Sequence, residues 1–267
     1  MKTISALKLS LFSLLLTGLV GLTACQPDEP EETPFDNLTL LSSATEANIG
    51  IEVYATETYY AGYNTLYFKV LKDETETKNA TVTFTPIMYM TEKTHACPIE
   101  QPVLNEDDVF EGHTLFQMPS MNGYWELTVN VVLEDGVSQE FVLPIEVIQP
   151  EFARALVTTT EEGKKLIIGY VSPMEPVVGE NDFEVAIFTM QDMMNFPAVE
   201  GLKVKIEPEM PSMGHGSEGN KNPTEIGAGH YKGTVAFNMV GDWRIHLEVL
   251  ENDAVLKDGI YFDLFFQ

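Results

Sequence analysis

Short runs in which apolar and polar residues alternate recur along most of the chain, and residues that favour turns separate them. The segments Tyr124–Leu133 and His230–Phe237 are two examples. Alternation with a period of two gives a strand one apolar face, and no segment after residue 24 has the sustained 3.6-residue periodicity of an amphipathic helix. The chain is therefore predicted to be all-β and built of short strands.

The candidate strands fall into two sets of seven, which is the number expected for an immunoglobulin-like β-sandwich. Two tandem sandwiches are therefore predicted, domain 1 at residues 37–148 and domain 2 at residues 149–267. The first set is Leu38–Leu41, Ile49–Tyr54, Thr65–Leu71, Ala80–Thr85, Thr114–Met118, Tyr124–Leu133 and Gln139–Ile148, and the second is Phe152–Thr158, Lys165–Tyr170, Asp182–Thr189, Leu202–Glu207, His230–Phe237, Trp243–Leu250 and Gly259–Phe266. The glycine-rich stretch Gly214–Gly229 is predicted to be a mobile loop.

The two halves also repeat a pattern of methionine, histidine and tryptophan. Met88 and Met210 each follow a proline by two residues, whereas Met121 and Met239 each precede a tryptophan by four. In the same order the halves carry His95 and His215, His113 and His230, and Trp125 and Trp243. Duplication of one ancestral domain would account for this shared order.

The N-terminal residues 1–24 are predicted to be a lipoprotein signal peptide. Lys2 and Lys8 precede an apolar run that ends in Leu22-Thr23-Ala24-Cys25. This ending resembles the lipobox of bacterial lipoproteins, which implies cleavage before Cys25 and acylation of its thiol. Several acyl chains would anchor the protein stably to a membrane. A buried N-terminal helix with a chance cysteine is the alternative.

Residues 25–36 are rich in proline and carboxylates and are predicted to be an extended tether. An aspartate directly after the lipidated cysteine resembles an inner-membrane retention signal. Gln26 occupies that position in this chain, so a location in the cell envelope at the outer membrane is favoured. The formal net charge is −26. Such a charge repels nucleic acid, so nucleic-acid binding is excluded, and the expected partners are the membrane and an envelope protein.

Candidate metal ligands occur in both halves, because thioether sulfur and imidazole together favour copper, and soft sulfur favours Cu(I). The candidates are Met88, Met90, His95, Cys97 and His113 in the first half and Met210, Met213, His215 and His230 in the second. Each set is predicted to converge at one end of its sandwich. In the alternative interpretation the methionines fill the core, the histidines lie in exposed loops and Cys97 is a small buried hydrophobe.

Other residues receive plainer predictions. Met121 and Met239 are expected to pack in the core beside their tryptophans. Tyr54, Tyr59, Tyr60 and Tyr63 are either ordinary strand residues or an adhesive patch for a partner or glycan.

No sequence typical of a serine triad, a zinc protease, a phosphate loop or a Cys-x-x-Cys pair occurs, so no enzymatic activity is predicted.

Three segments of the second half, Glu209–Gly216, Gly229–Gly233 and Phe237–Trp243, resemble the YtkA-like domain. This is a small β-sandwich related to FixH-type and CopC-like periplasmic proteins. The resemblance covers about residues 178–250, and it extends to residues 62–132 only through the repeat. It implies a role in copper handling or oxidase assembly. The chain is thus predicted to be a non-catalytic lipoprotein that binds or hands over copper, or else a metal-independent structural or interaction module.

Overall fold

The structure is a computed structural model that describes residues 33–267. The predicted signal peptide, Cys25 and most of the predicted tether lie outside the described residues, so these remain predictions. Residues Pro34–Gln267 form one compact unit. Within residues 33–267, no helix has the length and apolar character needed to cross a bilayer.

Ten strands lie in the first half of the described chain. They are β1 (Thr39–Glu46), β2 (Ile49–Ala55), β3 (Tyr63–Lys72), β4 (Thr75–Glu76), β5 (Ala80–Tyr89), β6 (Thr94–His95), β7 (Ile99–Leu104), β8 (Phe110–Leu115), β9 (Tyr124–Leu133) and β10 (Ser138–Ile145). A short 3-10 turn, Ser120–Asn122, precedes β9.

Nine strands lie in the second half. They are β11 (Ala155–Thr159), β12 (Lys165–Ser172), β13 (Gly179–Thr189), β14 (Lys203–Met210), β15 (His215–Gly216), β16 (Lys221–Gly227), β17 (His230–Phe237), β18 (Gly241–Glu251) and β19 (Ala254–Phe266). The limits predicted from the sequence for β9 and β17 are those observed.

Each half arranges its strands into two antiparallel sheets. In the first half the strand orders are β1-β2-β3-β8-β7, with β4 paired to β3, and β10-β9-β5-β6. In the second half they are β11-β12-β13-β17-β16 and β15-β14-β18-β19. The inward faces of each pair of sheets form one apolar core per half, with Phe68 and Phe84 in the first and Phe183 and Ile245 in the second. The predicted all-β sandwich fold is therefore confirmed.

Edge strands account for most of the differences from the predicted strands. The stretch Gly214–Gly229, predicted to be a mobile loop, contains β15 and β16, and β7 was not predicted at all. Most side chains of these strands are exposed or half-buried, so the strands lack the apolar alternation on which the prediction depended. The strand predicted at Thr114–Met118 ends earlier, at Leu115.

The outer faces of two sheets, one from each half, pack against each other. Leu115 of β8 is fully buried in a small apolar cluster that also contains Ile167 and Phe188 of the second half. A Cβ atom on Gly169 would lie 2.9 Å from the Leu115 side chain, so the two sheets approach closely there. The two halves have separate sheets, but Pro34–Gln267 form a single compact unit. The division into two domains near residue 148 therefore remains a prediction.

Candidate functional site

The first candidate site lies where β6 pairs with the end of β5. Met88 of β5 stands opposite His95 of β6 on one side and opposite Trp125 of β9 on the other. Directly opposed residues of antiparallel strands project from the same face with Cβ atoms about 5 Å apart. The rings of His95 and Trp125 meet edge to face, with centroids 5.5 Å apart. A thioether, an imidazole and an indole thus lie side by side.

One ring nitrogen of the His95 imidazole has no hydrogen-bond partner among residues 33–267. The side chain is almost completely buried, with 5% of its surface exposed. Nδ1 lies 2.7 Å from the carbonyl oxygen of Ala96, and Nδ1 must carry the proton because a carbonyl only accepts hydrogen bonds. In the neutral ring Nε2 then carries the lone pair, and within the described part of the chain this atom is buried without a hydrogen-bond partner. A buried polar atom of this kind costs about 1–3 kcal/mol unless a partner such as a metal ion or water satisfies it.

The second half repeats this arrangement. Met210 of β14 stands opposite His215 of β15, and the ring of His215 meets that of Trp243 edge to face at 6.1 Å. His215 Nδ1 donates to the carbonyl oxygen of Gly216 at 2.9 Å, which again leaves Nε2 as the atom with the lone pair. The two halves therefore present the same three side-chain types with the same histidine tautomer.

A glycine adjoins the methionine methyl group in both halves. A Cβ atom on Gly123 would lie 3.0 Å from Met88 Cε, and one on Gly241 would lie 2.5 Å from Met210 Cε. Each methionine methyl group therefore occupies space that only a glycine leaves free. The thioethers are held in place and are not loosely packed.

The second site is more accessible than the first. His215 is half-buried, whereas His95 is almost completely buried. Met213 lies in the turn between β14 and β15, where its backbone N–H donates to the Met210 carbonyl and its side chain is exposed.

Two further candidate ligands of the first half lie near His95 along the chain. Met90 is partly buried against the first core. Cys97 is buried, and its Sγ lies 3.1 Å from Thr114 Oγ1. Burial raises the pKa of the Cys97 thiol to about 12, although the hydrogen bond with Thr114 lowers it. This environment is that of a small buried hydrophobe, and the role of Cys97 as a metal ligand remains a prediction.

His230 lies far from the methionine of its half, which corrects the prediction that it joins Met210, Met213 and His215. It is the first residue of β17, whereas Phe237 at the other end of that strand packs on Trp243 with ring centroids 5.1 Å apart. Seven residues of strand span about 23 Å. His230 is therefore at the opposite end of the sandwich from the Met210 site.

His113 is likewise directed away from Met88. It lies on the outer face of the sheet that packs against the second half, where Nδ1 is 3.1 Å from Thr65 Oγ1. Its ring stacks on that of Tyr63 with centroids 5.4 Å apart. The prediction that His113 belongs to the Met88 site is therefore wrong, because alternation along β8 sends its side chain out of the core.

His113 and His230 both lie at the contact between the halves. His230 Nε2 lies 3.0 Å from Glu100 of the first half, and His230 Nδ1 lies 2.6 Å from Glu184 of the second. Glu100 also accepts a hydrogen bond from the Tyr63 hydroxyl at 2.7 Å, and Tyr63 stacks on His113. This set of five residues, here called the interface network, holds one imidazole between carboxylates of both halves.

The charges of the interface network follow from its geometry. Burial by itself would lower the pKa of His230, but the hydrogen bonds and charges of Glu100 and Glu184 outweigh it and raise the pKa to about 9. Burial would raise the pKa of Glu100, but the contacts with His230 and Tyr63 lower it overall. Burial lowers the pKa of His113. At neutral pH the network is therefore an imidazolium between two carboxylates, beside a neutral His113.

The two methionines expected in the core beside the tryptophans are exposed. Met121 has 79% of its surface exposed, and Met239 is also exposed. The indole N–H of Trp125 donates to the carbonyl of Met118, whereas that of Trp243 donates to the carbonyl of Met239. Met118 is thus the structural counterpart of Met239, and equal spacing in the sequence led to the wrong pairing.

The tyrosines considered as an adhesive patch are not arranged as one. Tyr59, Tyr60 and Tyr63 are buried, and Tyr54 is half-buried with its hydroxyl donating to Glu52 at 2.6 Å. These residues are therefore structural, as the simpler of the two interpretations held. Tyr60, for example, donates to the backbone carbonyl of Tyr63.

Comparison with known proteins supports part of the resemblance inferred from the sequence. Residues 160–248 match the family model described as YtkA-like. The match covers about a third of the chain and includes the Met210, His215 and Trp243 site, so the resemblance is confirmed for this segment. No curated protein matches the chain. Among residues 33–267, no group of three or more His, Cys, Asp or Glu side chains is arranged to hold a metal ion.

Among solved structures, one similar chain is the adhesin FdeC of Escherichia coli. The alignment has 14% identity and a TM-score of 0.26, and it covers 86% of this chain and 65% of the adhesin chain. The chain thus spans less than two thirds of the adhesin structure that it matches. The fold assignment above depends on the strands and sheets of this chain itself.

Proposed function

We propose that the protein is a non-catalytic envelope protein that binds Cu(I) at two sites, one in each half, and presents it to a partner. The observation that carries this proposal is the buried Nε2 of His95, which has a lone pair and, among the residues that the structure describes, no hydrogen-bond partner, while the ring adjoins Met88 and Trp125. Met210, His215 and Trp243 form the corresponding site. The match of residues 160–248 to the YtkA-like family supports the same proposal.

The ligand chemistry favours Cu(I) over harder cations. A thioether sulfur and a neutral imidazole nitrogen are soft or borderline ligands, which suit Cu(I), whereas Mg²⁺ and Ca²⁺ prefer oxygen ligands. The indole ring beside each pair adds an aromatic face or edge that can interact with a monovalent cation. The hydrogen bond from His Nδ1 to a backbone carbonyl fixes the tautomer, which is the usual support for a metal-binding imidazole.

Titration of the purified protein with Cu(I) under anaerobic conditions, against a competing chromogenic chelator, tests the proposal. We expect about two bound copper ions with affinities tighter than about micromolar. The pair Met88→Leu, His95→Gln should remove one site, and the pair Met210→Leu, His215→Gln should remove the other. Leucine preserves most of the methionine volume, so these changes leave the cores filled.

Matched controls come from the same chain. Met174 is exposed, His246 is half-exposed and both lie outside the two sites, so Met174→Leu and His246→Gln should leave the copper stoichiometry unchanged. The chain contains two tryptophans, one beside His95 and one beside His215, so quenching of Trp125 and Trp243 fluorescence would accompany binding. Absence of binding tighter than micromolar, or binding equal in all variants, would overturn the proposal.

A metal-independent interaction module is the second candidate function, and exposed apolar residues at the tip of the second half favour it. Met213, Met239 and Val240 are all exposed in turns that a hydrogen bond from Ser212 to Asp242 ties together. An apolar patch with a charged surround is typical of a docking surface. If a partner captured by cross-linking is lost on Val240→Asp but retained with a copper chelator present, the interaction does not need metal.

The envelope location depends on residues outside the described part of the chain. The lipobox-like sequence at Cys25 supports a lipid anchor, with the outer membrane favoured. Replacing Cys25 with serine should leave an unprocessed or mislocalised protein, as judged by its electrophoretic mobility and its partition with membranes. A variant that is still processed and equally membrane-bound would exclude lipidation.

A further inference from the structure

The loop between β13 and β14 contains three methionines that the proposed sites do not use. The segment Met190–Phe196 carries Met190, Met193 and Met194. Met193 and Met194 have 36% and 56% of their surfaces exposed, so they do not fill the core. Their thioethers gain little from packing there, and their soft sulfur atoms are available as ligands on the surface.

This methionine loop, residues 190–196, reaches across the contact between the halves to the first copper site. The backbone N–H of Ala96, the residue after His95, donates to the carbonyl oxygen of Met193 at 2.9 Å. Met190 packs on the apolar interface cluster that contains Ala96 and Phe196. The loop of one half therefore lies directly against the segment of the other half that carries the buried imidazole.

The loop itself is held in an ordered conformation. The backbone N–H of Met194 donates to Asp192 Oδ1 at 2.7 Å, and the Asn195 side chain donates to Gln191 Oε1 at 2.8 Å. The thioethers of Met193 and Met194 are thus presented to solvent from a defined turn. The Asp192 carboxylate beside them adds negative charge, which attracts cations.

We infer that Met193 and Met194 form a solvent-facing receiving site for Cu(I), from which the ion passes to Met88 and His95. This inference rests on the proposed function of the Met88 and His95 pair. Because His95 is almost completely buried, a metal ion needs a route to its Nε2, and a soft ligand at the surface lowers the cost of removing the ion from its donor. The transfer exchanges one set of neutral ligands for another, and copper remains Cu(I) throughout.

The experiment measures the rate at which the first site is loaded. Cu(I) supplied as its acetonitrile complex is mixed with the protein in a stopped-flow instrument, and quenching of Trp125 fluorescence is followed. A His215→Gln background weakens the second site, so that the signal from Trp125 dominates. We expect the Met193→Leu, Met194→Leu variant to load about tenfold more slowly, while the equilibrium affinity changes by less than about threefold.

The control is Met174→Leu, since Met174 is 40% exposed and lies in the loop at the opposite end of β13 from the methionine loop. It should load at the parental rate. An unchanged loading rate in the Met193→Leu, Met194→Leu variant would overturn the inference but would not contradict the two proposed copper sites. Failure of the parental protein to bind Cu(I) at all would instead overturn the proposed function and this inference with it.

Discussion

Replacing His230 with glutamine should remove much of the change in unfolding free energy that the protein undergoes between neutral and alkaline pH. In the interface network the imidazolium of His230 bridges Glu100 of the first half and Glu184 of the second. Glutamine keeps a similar volume and can donate to one carboxylate, but it carries no charge and does not titrate. The two carboxylates then face each other without a cation between them.

The magnitude follows from the pKa of His230. The folded protein holds this pKa at about 9, against an ordinary value of 6.5. One pKa unit corresponds to about 1.4 kcal/mol, so the protonated network contributes on the order of 3 kcal/mol. Because the folded pKa is raised, this stability is fully present below pH 6.5 and is lost as the pH rises through about 9. The pKa of His113 is lowered, so its own effect falls below pH 6.5 and outside this window.

Urea unfolding at a series of pH values between about 6.5 and 9.5 measures the effect, with fluorescence of Trp125 and Trp243 reporting one half each. The parental protein should lose about 3 kcal/mol across this range, and His230→Gln should lose much less. The control is His246→Gln, because His246 and Glu209 form a similar pair that is exposed and therefore contributes little. Equal pH dependence in the parental and His230→Gln proteins would refute the role of the interface network.

Two further predictions concern Gly241, which adjoins Met210, and the buried thiol of Cys97. Gly241→Ala should lower the unfolding free energy by about 2–3 kcal/mol and weaken the proposed copper binding at Met210, because its Cβ would lie 2.5 Å from Met210 Cε and its φ is 133°. Gly163→Ala, with φ of 84° but open space around its Cβ, should cost only about 1 kcal/mol in the same urea assay, and equal costs would contradict the packing argument. Cys97, which is buried with a raised pKa, should react with a thiol reagent only as fast as the protein unfolds, and rapid labelling of the folded protein would show that its thiol is accessible.

The local pattern of the sequence determined most of the strands, and it determined which methionine and histidine lie together. Alternation sets the face to which each side chain points, so β9 and β17 could be predicted to their end residues. The spacing that places Met210 at the end of β14 and His215 a few residues later also limits both to one hairpin. Such information is local, and it is contained in a few consecutive residues.

Only the tertiary structure decided where the other candidate ligands lie. His113 and His230 come in the same order in the sequence repeat, and the sequence suggested a place for each beside its own methionine. Both instead contact Tyr63 at the interface between the halves, because β8 and β17 belong to the sheets whose outer faces pack together. Alternation along a strand says which side chains share a face, but it does not say which sheet the strand joins or what that face packs against. Those choices depend on contacts between residues more than a hundred positions apart, such as Glu100 and His230.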